Sequence, residues 1–331
     1  MKTLLFKYFH QIIILSSLLS VTFLIISCAP NLISGNAIRE ENAKSPEVYF
    51  CPKDDCSKVF ERNIDSANFS VHCAFYDINL KNMINSLSKK SIMADVKIVI
   101  DNSNNDSQLK GSGVRGDSSS QLMHNKFCVI DKKTVLTGSF NPTGNDNSKN
   151  NNNVLVIYSK TLSENYEDEF SELWGGKFSG GSKVKHPIIY VNGIKIESYF
   201  CPEDSCESHI VNLIGSAKSS VYFMDFSFTS REIADAIISK KNLNTRGVVD
   251  SSQSSGKYSQ LKNMQDAGIG VIKDKNKYKM HHKVFIVDNE TVATGSFNPT
   301  SSGDEKNDEN VLIIHDRNIT SYFLAEFNSI S

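Results

Sequence analysis

The 331-residue sequence predicts an α/β fold of two similar α/β-sandwich repeats. Each is a mixed sheet flanked by helices, and a pseudo-twofold axis relates the two, with a shared site between them. Three observations carry this. A seven-residue string, Thr-Gly-Ser-Phe-Asn-Pro-Thr, occurs unchanged at 137–143 and 294–300. The pattern His-x-Lys-x4-Asp precedes it both times, as His124, Lys126, Asp131 and as His281, Lys283, Asp288, at one offset (281 − 124 = 157 and 296 − 139 = 157). Around both copies, short apolar runs alternate with stretches of helical spacing, the pattern of strands interleaved with helices.

Residues 1–27 read as a signal peptide: Lys2 and Lys7, no acids, then an apolar run from Ile12 to Ile26. Ile25-Ile26-Ser27-Cys28 resembles a bacterial lipoprotein cleavage site. Cys28 would then carry the lipid, residues 28–45 would form a flexible stalk, and the remainder would be exported and membrane-anchored outside the cytoplasm. An uncleaved anchor is the alternative reading of the apolar run.

The first repeat spans 46–180. It opens with Val48-Tyr49-Phe50 and continues with a helix near 57–67 that places Val59, Phe60 and Ile64 on one face. Phe69–Tyr76 is a strand carrying His72, read as a sheet-face histidine. Leu80, Met83, Ile84 and Leu87 mark a helix, and 96–101 a strand. Residues 102–120, rich in Asn, Ser, Gly and Asp, read as a mobile loop beside His124. A strand over 154–158 and a helix around 162–174, with Trp174 packed beneath it, complete the repeat. The second repeat, 194–331, follows the same plan. It has a helix near 208–217, a strand over 220–226, and a helix through Lys240 begun by the capping-box spacing of Thr229 and Glu232. An extra helix is expected over 258–267.

Cys51-x4-Cys56 and Cys201-x4-Cys206 are one element repeated. Each pair can close a disulfide loop in an oxidising compartment, or the four thiolates can bind one zinc, or they can be free thiols. Cys73 and Cys128, in apolar strands, read as buried free thiols.

In His-x-Lys the two side chains share one face of a strand, so an imidazole and an ammonium project together. Asn125 and His282 point away. The strand after each motif ends in small polar residues, Ser139 and Asn141 or Ser296 and Asn298, that can hydrogen-bond an anion. This combination suits a phosphate. One histidine can attack phosphorus and a second can protonate the leaving oxygen, which explains two copies. Net charge is −1, and −3 without the first 27 residues (34 Lys and Arg against 37 acids), so there is no global basic field.

These residues resemble the phospholipase D superfamily, whose signature is a duplicated His-x-Lys-x4-Asp followed by Gly-Ser-x-Asn. The resemblance covers about 46–331. Each half is most similar to the small endonucleases of that superfamily, also at Ile64–Val71 and Ile214–Val221, and at Lys149–Val154 and Lys306–Val311. It implies phosphodiester hydrolysis through a covalent phosphohistidine. His124 and His281 would be nucleophile and general acid, and Lys126 and Lys283 would hold phosphate oxygens. Ser139, Asn141, Ser296 and Asn298 would add hydrogen bonds. Neither metal nor cofactor is expected, because lysines and histidinium supply the charge. Asp131 and Asp288 complete the motif in a structural rather than a chemical place. The implied state is a monomer with an internal pseudo-dimer. The implied substrate is a phospholipid headgroup or, alternatively, DNA or RNA. One departure stands out: Glu309 fits the family's histidine-orienting carboxylate, but its first-repeat counterpart is Asn152 (309 − 157 = 152). In relatives this contact can cross the twofold axis, which would join Glu309 to His124 and leave His281 without a charged partner.

Overall fold

A computed structural model describes residues 40–104 and 113–331. The expected signal peptide (1–27), Cys28 and the stalk as far as residue 39 lie outside the described residues, as does 105–112 of the loop before His124. β1 (Glu40–Glu41) precedes the first repeat. That repeat holds β2 (Glu47–Cys51), β3 (Ser70–Phe75), β4 (Asp95–Ile100), β5 (Val114–Gly116), β6 (Lys126–Ile130), β7 (Thr134–Gly138) and β8 (Asn152–Tyr158). β9 (Ile188–Val191) leads into the second, with β10 (Ile194–Cys201), β11 (Ser220–Asp225), β12 (Asn244–Val249), β13 (Gly270–Lys273), β14 (Lys283–Val287), β15 (Thr291–Gly295) and β16 (Glu309–His315). The first sheet runs β2-β8-β7-β6-β3-β4-β5 and the second β10-β16-β15-β14-β11-β12-β13, with β9 and β1 added beyond β10. Position for position the order is the same. Both sheets are mixed: β3-β4-β5 and β11-β12-β13 are parallel, and the other pairings within each repeat are antiparallel.

Strands such as β6 and β14 are buried along their whole length, because both faces are covered. On the outer faces, helices Cys56–Ser66 and Lys81–Lys90 enclose one core, and Cys206–Gly215, Arg231–Ser239 and Leu261–Asp266 the other. A central core is shared by the inner faces of both sheets and by helices Lys160–Gly175 and Arg317–Ile330. Its symmetry is visible in single rings. Phe50 packs edge-on against Phe323 of the other repeat at 5.1 Å between centroids, and its counterpart Phe200 packs against Tyr166 at 5.0 Å. No helix among the described residues is long and apolar enough to cross a membrane.

Several expectations are corrected. The stalk ends earlier than residue 45: Glu40–Glu41 pairs with β9, and the Glu41 carboxylate accepts the amides of Lys160 and Thr161 at 2.7 and 2.8 Å, closing the helix that starts there. Part of the expected loop before His124 is strand β5, parallel to β4. Three residues on a sheet edge give too short a pattern to read from sequence. Cys73 and Cys128 are not free thiols. They face one another across β3 and β6, with Cα atoms 4.1 Å apart, and form a disulfide. Cys51–Cys56 and Cys201–Cys206 close as two local disulfide loops, each at the start of a helix, so the four sulfurs do not form a zinc site. The helix cap after β11 is Ser230, whose hydroxyl accepts the amide of Ile233 at 3.0 Å, while the Thr229 amide bonds Pro299 O. The extra helix covers only Leu261–Asp266. His72 is buried between Glu167, 2.8 Å from Nδ1, and a stacked Phe170.

Candidate active site

Each catalytic strand is anchored before it begins. Met123 and Met280 are fully buried, and their amides donate to Asp101 Oδ2 (3.0 Å) and Asp250 Oδ2 (2.9 Å) at the ends of β4 and β12. The next residue is tied to the opposite repeat. The His124 amide donates to Asp308 O at 3.0 Å, and the His281 amide to Asn151 O at 2.9 Å. Each histidine therefore lies beside the residue that begins the other repeat's last strand. His124 Nδ1 lies 2.8 Å from both Glu309 carboxylate oxygens, and His281 Nδ1 lies 2.8 Å from Asn152 Oδ1. With Nδ1 engaged, Nε2 is the atom left for chemistry on both rings. Tyr76 and Phe226 pack edge-on against His124 and His281 at 4.9 and 4.8 Å.

Lys126 and Lys283 lie on the same strand face as their histidines. Lys126 Nζ donates to His124 O at 2.6 Å and Lys283 Nζ to His281 O at 2.8 Å. Asn125 and His282 point the other way, into the seam between repeats. Asn310 Nδ2 donates to Asn125 Oδ1 at 2.7 Å, and Asn153 Nδ2 lies 3.1 Å from His282 Nδ1. Thr137 and Thr294 hydroxyls donate across the seam to Asn310 and Asn153 (2.9 and 3.1 Å). The seam is thus a paired network of asparagine amides and threonine hydroxyls, with His282 standing where the first repeat has Asn125.

Charge in the site is closely opposed. Burial pushes Lys126 down to about 8, against the pull of Glu309 and Asp146. Burial and the neighbouring Lys126 push Lys283 down to about 7. Burial lowers the His124 imidazole, while Glu309 works to restore its proton. His281 is held well below the usual imidazole range by burial and by Lys283, Lys126 and His124. It is not without an acid nearby, however: Asp146 Oδ2 lies 3.7 Å from its Nδ1. This corrects the expectation that Asn152 leaves His281 with no charged neighbour. Asp225, facing Lys283 across β11 and β14, is fully buried and raised well above the carboxylate range.

Other expected site residues take different places. Ser139 Oγ donates to Asn152 Oδ1 (3.2 Å) and Ser296 Oγ to Glu309 Oε2 (2.6 Å). A hydroxyl has one proton to give, and here both serines give it to the residues that hold the histidines. Asn141 donates through its amide and Nδ2 to Asp146, both at 2.9 Å. The amide oxygens of Asn141 and Asn298 are buried without a hydrogen-bond partner. The glycine before each serine is required by space: a Cβ on Gly138 or Gly295 would lie 2.3 or 2.1 Å from the carbonyl of Asn153 or Asn310. Asp131 and Asp288 sit beyond the far ends of β6 and β14 and accept backbone amides of 68–70 and 218–220. Sequence reasoning missed Asp101, Asp250, Asn153, Asn310 and Asp146. The shared offset of the motifs (310 − 153 = 157) was the available signal for Asn153 and Asn310; Asp101 and Asp250 are 149 apart and fall off that offset. Among the described residues, one carboxylate group could hold a cation: Glu169, Glu172 and Glu203, with oxygens within 4.8 Å of one another. Glu169 bonds Asn125, on the opposite strand face from Lys126.

The model of the family described as "Cardiolipin synthase, PLD-like domain" matches residues 60–174 and again 210–331. A protein named phospholipase D from Rickettsia felis is 35% identical over 152 residues, which is 45% of this chain and 76% of that one. A mitochondrial cardiolipin hydrolase of Xenopus tropicalis is 30% identical over 149 residues, 44% of this chain and 69% of that one. Among solved structures, the phospholipase D family member Nuc of Salmonella typhimurium is 32% identical over 41% of this chain and 93% of its own, with a TM-score of 0.40. The phosphatidylserine synthase of Haemophilus influenzae is 11% identical but covers 84% of both chains at a TM-score of 0.64, a likeness of the whole two-repeat fold. The chain therefore belongs to the phospholipase D superfamily of phosphodiester hydrolases, with both halves of the site in one polypeptide.

Proposed function

We propose that the protein hydrolyses phospholipid headgroups through a covalent phosphohistidine and without a metal. The observation that carries this reading is the His124–Glu309 contact across the repeats, opposite a His281 flanked by two buried lysines. His124 Nε2 attacks phosphorus, forming the N–P bond as the P–O bond to the leaving alcohol breaks. Attack places positive charge on the ring, and Glu309 at Nδ1 neutralises it. His281 gives its proton to the leaving oxygen, then takes one from the water that cleaves the N–P bond. Lys126 and Lys283 offset the charge of the five-coordinate phosphorus. The names of the relatives, phospholipase D and cardiolipin hydrolase, favour lipid.

One observation favours a second reading, a metal-independent endonuclease. The segment leading to His281 holds Lys273, Lys275, Lys277 and Lys279, all exposed, with exposed Tyr278 among them. Lys149 of the other repeat lies over the Tyr278 ring at 5.1 Å. The matching segment of the first repeat, 116–122, has no lysine. Lysines beside an exposed ring suit a nucleic-acid strand. The deciding experiment takes the full chain in detergent with excess EDTA, His124→Ala and His281→Ala alongside. It offers phosphatidylglycerol or cardiolipin micelles in one arm and single- or double-stranded DNA in the other. Headgroup release lost in the variants supports the lipase; DNA cleavage with lipids untouched replaces it by the nuclease. Activity abolished by EDTA refutes the metal-free mechanism.

We also infer export as a lipoprotein anchored through Cys28. Three disulfides among the described residues support an oxidising compartment. Labelled fatty acid should enter the wild-type chain in a bacterial host and not Cys28→Ala; equal labelling of both would refute the anchor.

A further inference from the structure

The two repeats differ at two positions that face the same pair of histidines. Where the second repeat has Glu309 on β16, the first has Asn152 on β8. Where the first repeat has Asp146 on the short helix Gly144–Ser148, the second has Gly303 (146 + 157 = 303). Each half thus keeps one acid, six residues apart in register. Space explains why the second repeat cannot hold its acid on the helix: a Cβ on Gly303 would lie 2.4 Å from the carbonyl oxygen of Asn298.

Asp146 is 4% exposed and directed into the site. Its Oδ2 accepts the backbone and side-chain amides of Asn141 and lies 3.7 Å from His281 Nδ1. Its Oδ1 accepts Asn150 Nδ2 at 2.5 Å. Asn152 bridges the gap: its Oδ1 is 2.8 Å from His281 Nδ1, and its Nδ2 donates to the Asp146 carbonyl at 3.4 Å. We infer that Asp146 is the first repeat's displaced carboxylate, a positioning residue that gives His281 the negative charge Glu309 gives His124. This deepens the phosphohistidine reading and rests on it.

The charges that face these groups agree. His281 is faced by Lys283, Lys126, His124 and Lys279, all cationic or able to become so, and by Asp146. Lys283 is faced by Lys126, Glu309, Asp146 and Asp225. Lys126 is faced by Glu309, Asp146, Asp101 and Asp77, so Asp146 is one of the carboxylates that offset both buried ammonium groups. Without Asp146 the empty site would carry one negative charge fewer, and the proton needed on the leaving oxygen would be held less firmly on His281.

The test compares wild type, Asp146→Asn and Asp146→Asn/Asn152→Glu, the last returning the acid to the place it has in the second repeat. Two substrates are used: bis(p-nitrophenyl) phosphate, whose leaving group needs little protonation, and whichever of phosphatidylglycerol micelles or a thymidine dinucleotide the wild type cleaves. In Asp146→Asn the alkaline limb of kcat at saturating concentration of the alcohol-leaving substrate should move down by about 1–2 pH units. The loss at pH 8 should be about tenfold or more, and much smaller with the nitrophenyl ester. The double variant should recover the limb. A limb unchanged in Asp146→Asn, or an equal loss on both substrates that Asn152→Glu does not rescue, would reduce Asp146 to a support for Asn141 and overturn the inference. Wild type quenched in denaturant at alkaline pH, where the N–P bond of a phosphohistidine survives, is the separate control. Turnover without a trapped phosphoenzyme would refute the phosphohistidine reading, whereas the limb shift and its rescue bear on Asp146 itself.

Discussion

The buried ammonium groups show how much the site sacrifices. Lys283 is depressed to about 7 by burial and by Lys126, while an unfolded lysine titrates near 10.4. Between those values the unfolded chain binds more protons than the folded one, so stability rises with pH across that window. Lys283→Met should therefore abolish turnover yet raise stability by about 1–3 kcal/mol at pH 6–7, with the gain shrinking toward pH 10; denaturant melts at three pH values check it. The same depression means Lys283 loses its charge above about 7 and Lys126 above about 8. KM should accordingly climb from pH 7 to 9, because the phosphate then meets fewer ammonium groups. Glu309→Gln keeps the shape of the contact to His124 Nδ1 but removes its charge. Turnover should fall by about a hundredfold or more, and single-turnover quench should show slower phosphoenzyme formation if His124 is the nucleophile. Unchanged formation would exchange the roles of the two histidines.

At the scale of elements, the repeats solve one packing problem in two ways. Cys73 and Cys128 face each other across β3 and β6; the equivalent positions across β11 and β14 hold Phe223 and Phe285, with centroids 6.4 Å apart. The larger ring is accommodated because Gly247 lies beside Phe223, where β4 has Ile98 beside Cys73. The disulfide closes a loop of about 55 residues, so Cys73→Ala/Cys128→Ala should cost about 2–4 kcal/mol, read as a lower urea midpoint with little change in kcat. Glu41 shows a different dependence. Its carboxylate closes the start of Lys160–Gly175 from 120 residues away, and Glu41→Ala should cost about 1 kcal/mol.

At the scale of the whole molecule, neither half buries its inner face alone. The central core takes side chains from both sheets, and Phe50–Phe323 and Tyr166–Phe200 cross between them. The second repeat produced alone (194–331) should leave that face uncovered and self-associate; size-exclusion chromatography at micromolar concentration would show a monomer if the seam contributed little.

The duplicated motifs, the strand–helix order and the His–Lys pairing were legible because they depend on local periodicity and on a repeat long enough to compare with itself. His124, Lys126, His281 and Lys283 came from that comparison, and the Glu309/Asn152 difference from it together with the resemblance to the phospholipase D superfamily. Tertiary structure decided what the serines do, that β5 exists, that Cys73 and Cys128 are joined, and that Asp146 stands beside His281. Each of these depends on which atom lies across a seam or a sheet from which other atom. Chain spacing fixes the face a side chain takes, but its partners on that face are set by how two repeats pack, and a carboxylate moved six residues can reach the same imidazole from another element.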